Sequence, residues 1–270
     1  MAQCLLTVHA HPDDEASRGG ATVAHYTAQG VRAVLVTCTD GGAGEVLNPA
    51  VTDDFTPERF VATRSAELDA SARHLGYAAV HRLGYRDSGM DGTAGGAEAF
   101  VRAPLDEAAA RLARVIADER PDVVIGYGTN HTRDPHPDHI RANEVLTRAV
   151  DLLDHVPAVY YIAFSRRRHR ALHQACVDSG VPSPYEGGLS APPGAFDDEQ
   201  ITTLVDITKG DAVERRLDAL RSHVTQVPPT SGWFALSPQQ LRDAFPYEEY
   251  IRVGAPPRGA VAHDLFTAPA

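Results

Sequence analysis

The apolar runs of this chain show no polar alternation, and that property narrows the folds open to it. "CLLTVHA" from Cys4, "VRAVLVTCT" from Val31 and "PDVVIGYG" from Pro121 each keep consecutive apolar residues on both sides of the backbone. A strand with one face in water alternates apolar and polar residues, so these runs are strands covered on both faces. Helical stretches separate them. "ASRGGATVAHYTAQG" reads as one helix stopped by Gly30, and "PERFVATRSAELDASARHLG" has Pro at its start and Gly at its end, the expected asymmetry. "PLDEAAARLARVIADE" and "PDHIRANEVLTRAVDLL" are further helices, with "VHRLGY" and "AVYYIAF" as short strands. Strand–helix repetition implies right-handed crossovers and a Rossmann-like, doubly wound α/β fold with a largely parallel sheet. Residues 1–178 read as the core unit. Residues 179–270 read as a Gly-, Pro- and Ser-rich loop (179–200), then the strand "ITTLVDI", the helix "AVERRLDALRSHV" and the strand "EEYIRV". That C-terminal extension is expected to pack on the same domain and wall its pocket.

Ligands in such sheets bind beyond the carboxyl ends of the strands, near the point where strand order reverses. Two charged stretches fall at strand ends: "HAHPDDEASRGG" (9–20) and "NHTRDPHPDHIRAN" (130–143). A lone His-Pro-Asp-Asp reads as an Asp cap after a Pro turn. Two His-Pro-Asp clusters at two strand ends are hard to obtain from capping and read as halves of one metal site. Catalytic zinc takes three protein ligands from His and carboxylate and leaves a position open. His11 and Asp14, three apart across a tight turn, supply two, and His139 or His136 supplies the third. Of Asp13, Asp14, Glu15, Asp134 and Asp138, one or two must stay off the metal as base or as orienter of a histidine. His9, inside the strand, reads as a packed core histidine.

Charge and composition remove other classes. A formal charge of −11 argues against nucleic acid or an anionic membrane surface as partner. No apolar stretch reaches the roughly 18 residues of a membrane span. Cys4, Cys38 and Cys176 share no CxxC spacing and fit a reducing compartment, so a cytoplasmic enzyme is expected. A nucleotide-binding module is the non-enzyme alternative. The loop "DGGAGE" (40–45) counts against it, lacking both GxGxxG and a Walker lysine. A closed structural zinc site would prefer Cys-rich ligands. "SRRRHR" (165–170) reads as a solvated helix face. Oligomeric state is not legible.

"AHPDDE" at 10–15 and "HPDH" at 136–139, with "GGATVAHYTAQG", "GEVLNPAV", "RSAEL", "RDSGM" and "SHVTQ", resemble the LmbE-like (PIG-L) family of zinc deacetylases over most of the chain. The resemblance implies one Zn2+ (Fe2+ as the alternative metal) on His11, Asp14 and His139. It implies Asp13 as general base, and His136 as the group that stabilises the oxyanion and helps protonate the leaving amine. Asp138 would orient His136, while Arg64 and Asp87 would bind sugar or inositol hydroxyls of an N-acylated aminosugar. Within the family the sequence is similar to mycothiol S-conjugate amidases and to N-acetylglucosaminyl-inositol deacetylases. "GEVLNPAV", "VRAPLDEAA" and Arg18, at the place of an amidase lysine, tilt towards an amidase, because a guanidinium there can grip a bulky acyl group. "RDSGMDGT" tilts towards a deacetylase of that or another N-acetyl-aminosugar, natural-product biosynthesis included. One position departs from both groups. They carry a tyrosine two residues before His136, where this chain has Asp134, and a carboxylate donates no hydrogen bond unless protonated. Asn130, His131 or Arg133 would then supply the donor, or the leaving group differs.

Overall fold

The computed structural model describes residues 3–129, 135–189, 200–255 and 262–267. Its strands are β1 (Cys4–His9), β2 (Arg32–Thr39), β3 (Ala79–Tyr85), β4 (Val123–Gly126), β5 (Ala158–Ala163), β6 (Thr203–Asp206) and β7 (Tyr247–Arg252). They form one sheet in the order β3-β2-β1-β4-β5-β7-β6. The first five are parallel to one another. β7 runs antiparallel to both β5 and β6. Every residue of β1 and β4 is buried, as unalternating apolar runs require.

Strand order reverses between β1 and β4. From β1 the chain winds outward through β2 and β3, then returns to β4 on the other side and continues to β5. The crevice of a doubly wound sheet opens at that reversal. Both charged stretches follow the two strands that flank it, so the topology brings together residues more than a hundred positions apart.

Successive strand residues face opposite layers. Leu5 and Ile125 join Val23, Leu75, Tyr160 and Leu217 on one side, while Leu6, Val34 and Val124 join Leu112, Val145 and Leu146 on the other. The helices are α1 (Asp14–Ser17), α2 (Gly20–Ala28), α3 (Pro57–Leu75), α4 (Leu105–Glu119), α5 (Pro137–Val150), α6 (Arg166–Asp178), α7 (Ala212–Ser222) and α8 (Pro238–Ala244). The single helix expected before Gly30 is broken into α1 and α2. Gly19 between them adopts φ +82°, and a Cβ there would stand 3.0 Å from the Tyr250 hydroxyl. Only glycine takes that turn against a neighbouring ring without strain. The residues after 178 also do more than wall a pocket: they extend the sheet by β7 and β6, and α7 packs on α1, α2 and α3.

Candidate metal centre

β1 delivers His11, Pro12, Asp13 and Asp14 to the crevice, and α1 begins at Asp14. Asp13 holds φ 113° and ψ −25°, a left-handed conformation rare outside glycine. Such a residue stores on the order of 1–3 kcal/mol and persists only when its surroundings over-determine it. Three contacts do so. The Asp13 N–H donates to Glu15 Oε2 at 2.9 Å. Arg64 donates to Asp13 Oδ2 at 2.9 Å and to the Pro12 carbonyl. The same guanidinium reaches the Gly41 carbonyl at 2.6 Å.

Across the crevice β4 leads to α5. His136 is the N-cap of α5, its Nδ1 accepting the Asp138 N–H at 3.1 Å, and Pro137 opens the helix. His139 then faces β1. His11 Nδ1 lies 3.3 Å from Asp14 Oδ2, His139 Nε2 lies 3.2 Å from the same oxygen, and the two nitrogens are 3.3 Å apart. Ligands about 2.0–2.1 Å from a tetrahedral centre stand about 3.3–3.4 Å from one another. The donor triangle therefore fits a small tetrahedral cation. His136 also stays close, with donor atoms of His11, His136 and His139 all within 4.8 Å, so the alternative left open by spacing is near in space.

The surroundings tune each donor. Asp14 Oδ2 accepts from the Tyr127 hydroxyl at 2.7 Å and the His11 N–H at 3.0 Å, and Oδ1 accepts from Arg18 Nε at 3.0 Å. Burial opposes its ionisation, but His139, His11 and Arg18 outweigh that and hold the carboxyl well below the usual range. Burial likewise disfavours charge on His11. Hydrogen bonds to Asp138 and Asp14 prevail and raise it to about 10, so this ring sits where positive charge is strongly favoured. His136 shows the opposite: burial, then the charges of His11 and His139, push it down to about 4. The neutral ring, accepting at Nδ1, carries its proton on Nε2.

Asp138, expected to orient His136 through its carboxylate, meets His11 instead. Its fully buried carboxylate accepts from Ser88 N at 2.9 Å, Ser88 Oγ at 2.5 Å and His11 Nε2 at 3.2 Å. No hydrogen bond joins that carboxylate to His136 among the described residues; only the Asp138 backbone amide does. α5 starts at Pro137, which turns the Asp138 side chain towards β1 rather than back onto the cap. With Nε2 held by Asp138, His11 turns Nδ1 towards Asp14 and His139, and loss of the Nδ1 proton would leave there the lone pair that a metal-binding histidine uses.

Of the three residues expected on substrate, Arg64 and Asp87 are buried and Arg18 is half-buried beside Asp14. Arg64 is buried and clamps the Pro12–Asp13 turn. Asp87 is also buried, 3.7 Å from His11 Nε2, and accepts from the Gly89 and Ala43 amides. Arg18 pairs with Asp14, and its guanidinium lies 5.7 Å from the Tyr127 ring centroid and 5.8 Å from that of Phe164. Asn130, His131, Arg133 and Asp134 lie outside the described residues. Sequence reasoning assigned no role to Tyr127, Ser88 or His223, although "PDVVIGYG", "RDSGM" and "SHVTQ" contain them, and it weighed Glu15 only as one of several carboxylates beside the metal. His9 is a buried histidine, as expected, yet neither ring nitrogen has a hydrogen-bond partner among the described residues.

Residues 6–150 match the PIG-L family, described as GlcNAc-PI de-N-acetylase. The chain belongs to the PIG-L family. One PIG-L relative, a 1D-myo-inositol 2-acetamido-2-deoxy-alpha-D-glucopyranoside deacetylase of Acidothermus cellulolyticus, is 41% identical over 98% of this chain and 95% of its own length. A mycothiol S-conjugate amidase of Streptomyces coelicolor is 35% identical over 91% of this chain and 90% of its own. Both names describe hydrolases that act on amides. The fold matches that of N,N'-diacetylchitobiose deacetylase from Pyrococcus horikoshii, with a TM-score of 0.60 at 23% identity, over 93% of this chain and 84% of that one. No helix among the described residues is long and apolar enough to cross a membrane.

Proposed function

We propose that this PIG-L chain is a zinc-dependent amidohydrolase that removes the acyl group from the amine of a glucosamine-type substrate, in the manner of a mycothiol S-conjugate amidase. The donor triangle of His11, Asp14 and His139 carries the reading. Zinc held there supplies a Lewis acid and lowers the pKa of bound water. The rest of the chemistry belongs to side chains. Asp13, partly exposed beside the triangle, takes the proton of the attacking water, and partial burial lifts its carboxyl above the usual value against the pull of Arg64. His136 Nε2–H donates to the carbonyl oxygen as it gains charge, a contribution of about 10²–10³-fold in comparable sites. Asp13 then hands the water's proton on to the leaving amine. Asp138, held by Ser88, keeps His11 turned with Nδ1 towards Asp14 and His139. A cytoplasmic setting belongs to the same proposal, supported by three cysteines that are all free and buried.

The second reading is an N-acetylglucosaminyl-inositol deacetylase, favoured by the 41% identity to the Acidothermus protein. Acyl size separates the two. Arg18 stands beside Asp14, at the edge of the triangle, where it meets the acyl side of a bound amide. Values of kcat/KM for acetyl and acetylcysteinyl conjugates of glucosaminyl-inositol, in wild type and Arg18→Ala, decide between them. The amidase reading expects the larger acyl group to be preferred and Arg18→Ala to lose that preference. A wild-type preference for acetyl, unchanged in Arg18→Ala, leaves the deacetylase. No hydrolysis of either after zinc loading overturns both.

A further inference from the structure

Glu15 is a carboxylate with no exposure at all, in a helix that begins at the metal centre, and no step of the proposed chemistry uses it. Burying a charge is costly unless it is paired and hydrogen-bonded. Glu15 is fully supplied. Oε1 accepts from His223 Nε2 at 2.6 Å and from the Ser71 hydroxyl, and Oε2 accepts the Asp13 N–H at 2.9 Å. Ser71 and His223 are themselves fully buried. Both donate to one oxygen of the same carboxylate, so this is no nucleophile–base relay, and the serine has no path to a substrate. His223 Nδ1 has no partner among the described residues.

The three donors come from three parts of the chain. Asp13 lies in the turn after β1, Ser71 is on α3, and His223 caps the C-terminus of α7. The ring of His223 thus reaches from the C-terminal segment to the underside of the catalytic turn. Its one hydrogen bond fixes a carboxylate whose other oxygen fixes the peptide of Asp13. That peptide is the one forced into the left-handed region, at φ 113°. Without a fixed acceptor for its N–H, the turn is free to relax towards an ordinary conformation, and the Asp13 carboxylate swings with it.

We infer that Glu15 and His223 are positioning residues for the proton acceptor: a buried pair that holds the strained Asp13 turn and so sets where its carboxylate meets the attacking water. The inference rests on the proposed role of Asp13. It requires turnover, rather than substrate or metal binding, to depend on a histidine that no substrate can touch.

The test uses zinc-loaded His223→Leu and His223→Gln, each also combined with Asp13→Asn. His223→Leu is expected to lower kcat by about 10–100-fold, the scale of a misplaced catalytic group, with KM within about twofold of wild type and one zinc per chain retained. His223→Gln keeps an N–H donor for Glu15 and is expected to recover most of that loss. On the Asp13→Asn background, His223→Leu is expected to add nothing. Ser71→Ala removes one neutral donor without unpairing a charge. It is expected to lower kcat a few-fold at unchanged KM, and it carries the test if His223→Leu fails to fold. Unchanged kcat in Ser71→Ala and His223→Gln, with His223→Leu unfolded, means the pair serves stability alone. Wild-type kcat in a folded His223→Leu, an equal loss on both backgrounds, or loss of zinc in step with activity also overturns the inference. Near wild-type turnover in Asp13→Asn itself would instead overturn the reading of Asp13 as proton acceptor.

Discussion

Replacing Arg64 by alanine separates a clamp from a substrate contact. The guanidinium is buried and donates to the Pro12 and Gly41 carbonyls and to Asp13 Oδ2. Its removal strands the Pro12 carbonyl, while the Gly41 carbonyl keeps the Gly44 N–H at 3.3 Å, so the sum is one unmade bond, about 2 kcal/mol. The Asp13 contact is set aside in that sum, because its carboxylate is 28% exposed and water replaces much of what it loses. For a chain of this length, about 2 kcal/mol lowers Tm by roughly 4–8 °C. Turnover falls as well, since a displacement of about 1 Å at a reacting group costs roughly 10²-fold. Thermal unfolding followed by circular dichroism gives the first number, and saturation kinetics on the zinc-loaded variant give kcat and KM separately. A clamp predicts a lower Tm and a lower kcat with KM little changed. A raised KM with Tm within about 3 °C of wild type and kcat intact would mean that Arg64 binds sugar hydroxyls, and the reasoning from its three acceptors would be refuted.

Asp138→Asn should weaken metal binding by about 10–100-fold, the usual effect of losing a histidine's outer partner, in a competition titration with a chromophoric chelator. Unchanged affinity would return Asp138 to the service of His136. His9, 1% exposed, is pushed by burial down to about 4, below the ordinary value of about 6.5, so the unfolded chain binds its proton first. The stability tied to keeping this ring neutral is complete above about 6.5 and is lost as pH falls from there to about 4, a total of about 3 kcal/mol. His9→Phe should therefore show a flatter Tm–pH curve over that window than wild type; identical slopes would defeat this account.

The fold was legible where one local pattern decides it. Runs such as "CLLTV" and "VVIG" are buried on both faces, and strands of that kind belong in a parallel sheet between helix layers. Local pattern does not say which edge a later strand joins, so "EEYIRV" was recognisable as a strand but not as the antiparallel neighbour of β5. The break between α1 and α2 sits at the left-handed Gly19, packed against Tyr250 over two hundred residues away, a contact that the local helical pattern does not encode. α8 has a locally readable signature, the capping box of Ser237 and Gln240, although no helix was expected there. In the site, the metal donors stood out because histidine and aspartate at two strand ends have few other uses. Tyr127, Ser88 and His223 are single polar residues in ordinary surroundings. Their roles come from hydrogen bonds to Asp14, Asp138 and Glu15 at separations of 113, 50 and 208 residues, which no local spacing encodes.

The position of His223 bears on the order in which the molecule is completed. A chain emerging from the ribosome has His11, Asp14 and His139 in hand once α5 has been made, and the pairing of β1 with β4 can already bring them together. The support beneath Asp13 waits for α7, some seventy residues further on. On the proposed roles, a nascent chain arrested between α5 and α7 would hold the donor triangle without the support beneath Asp13.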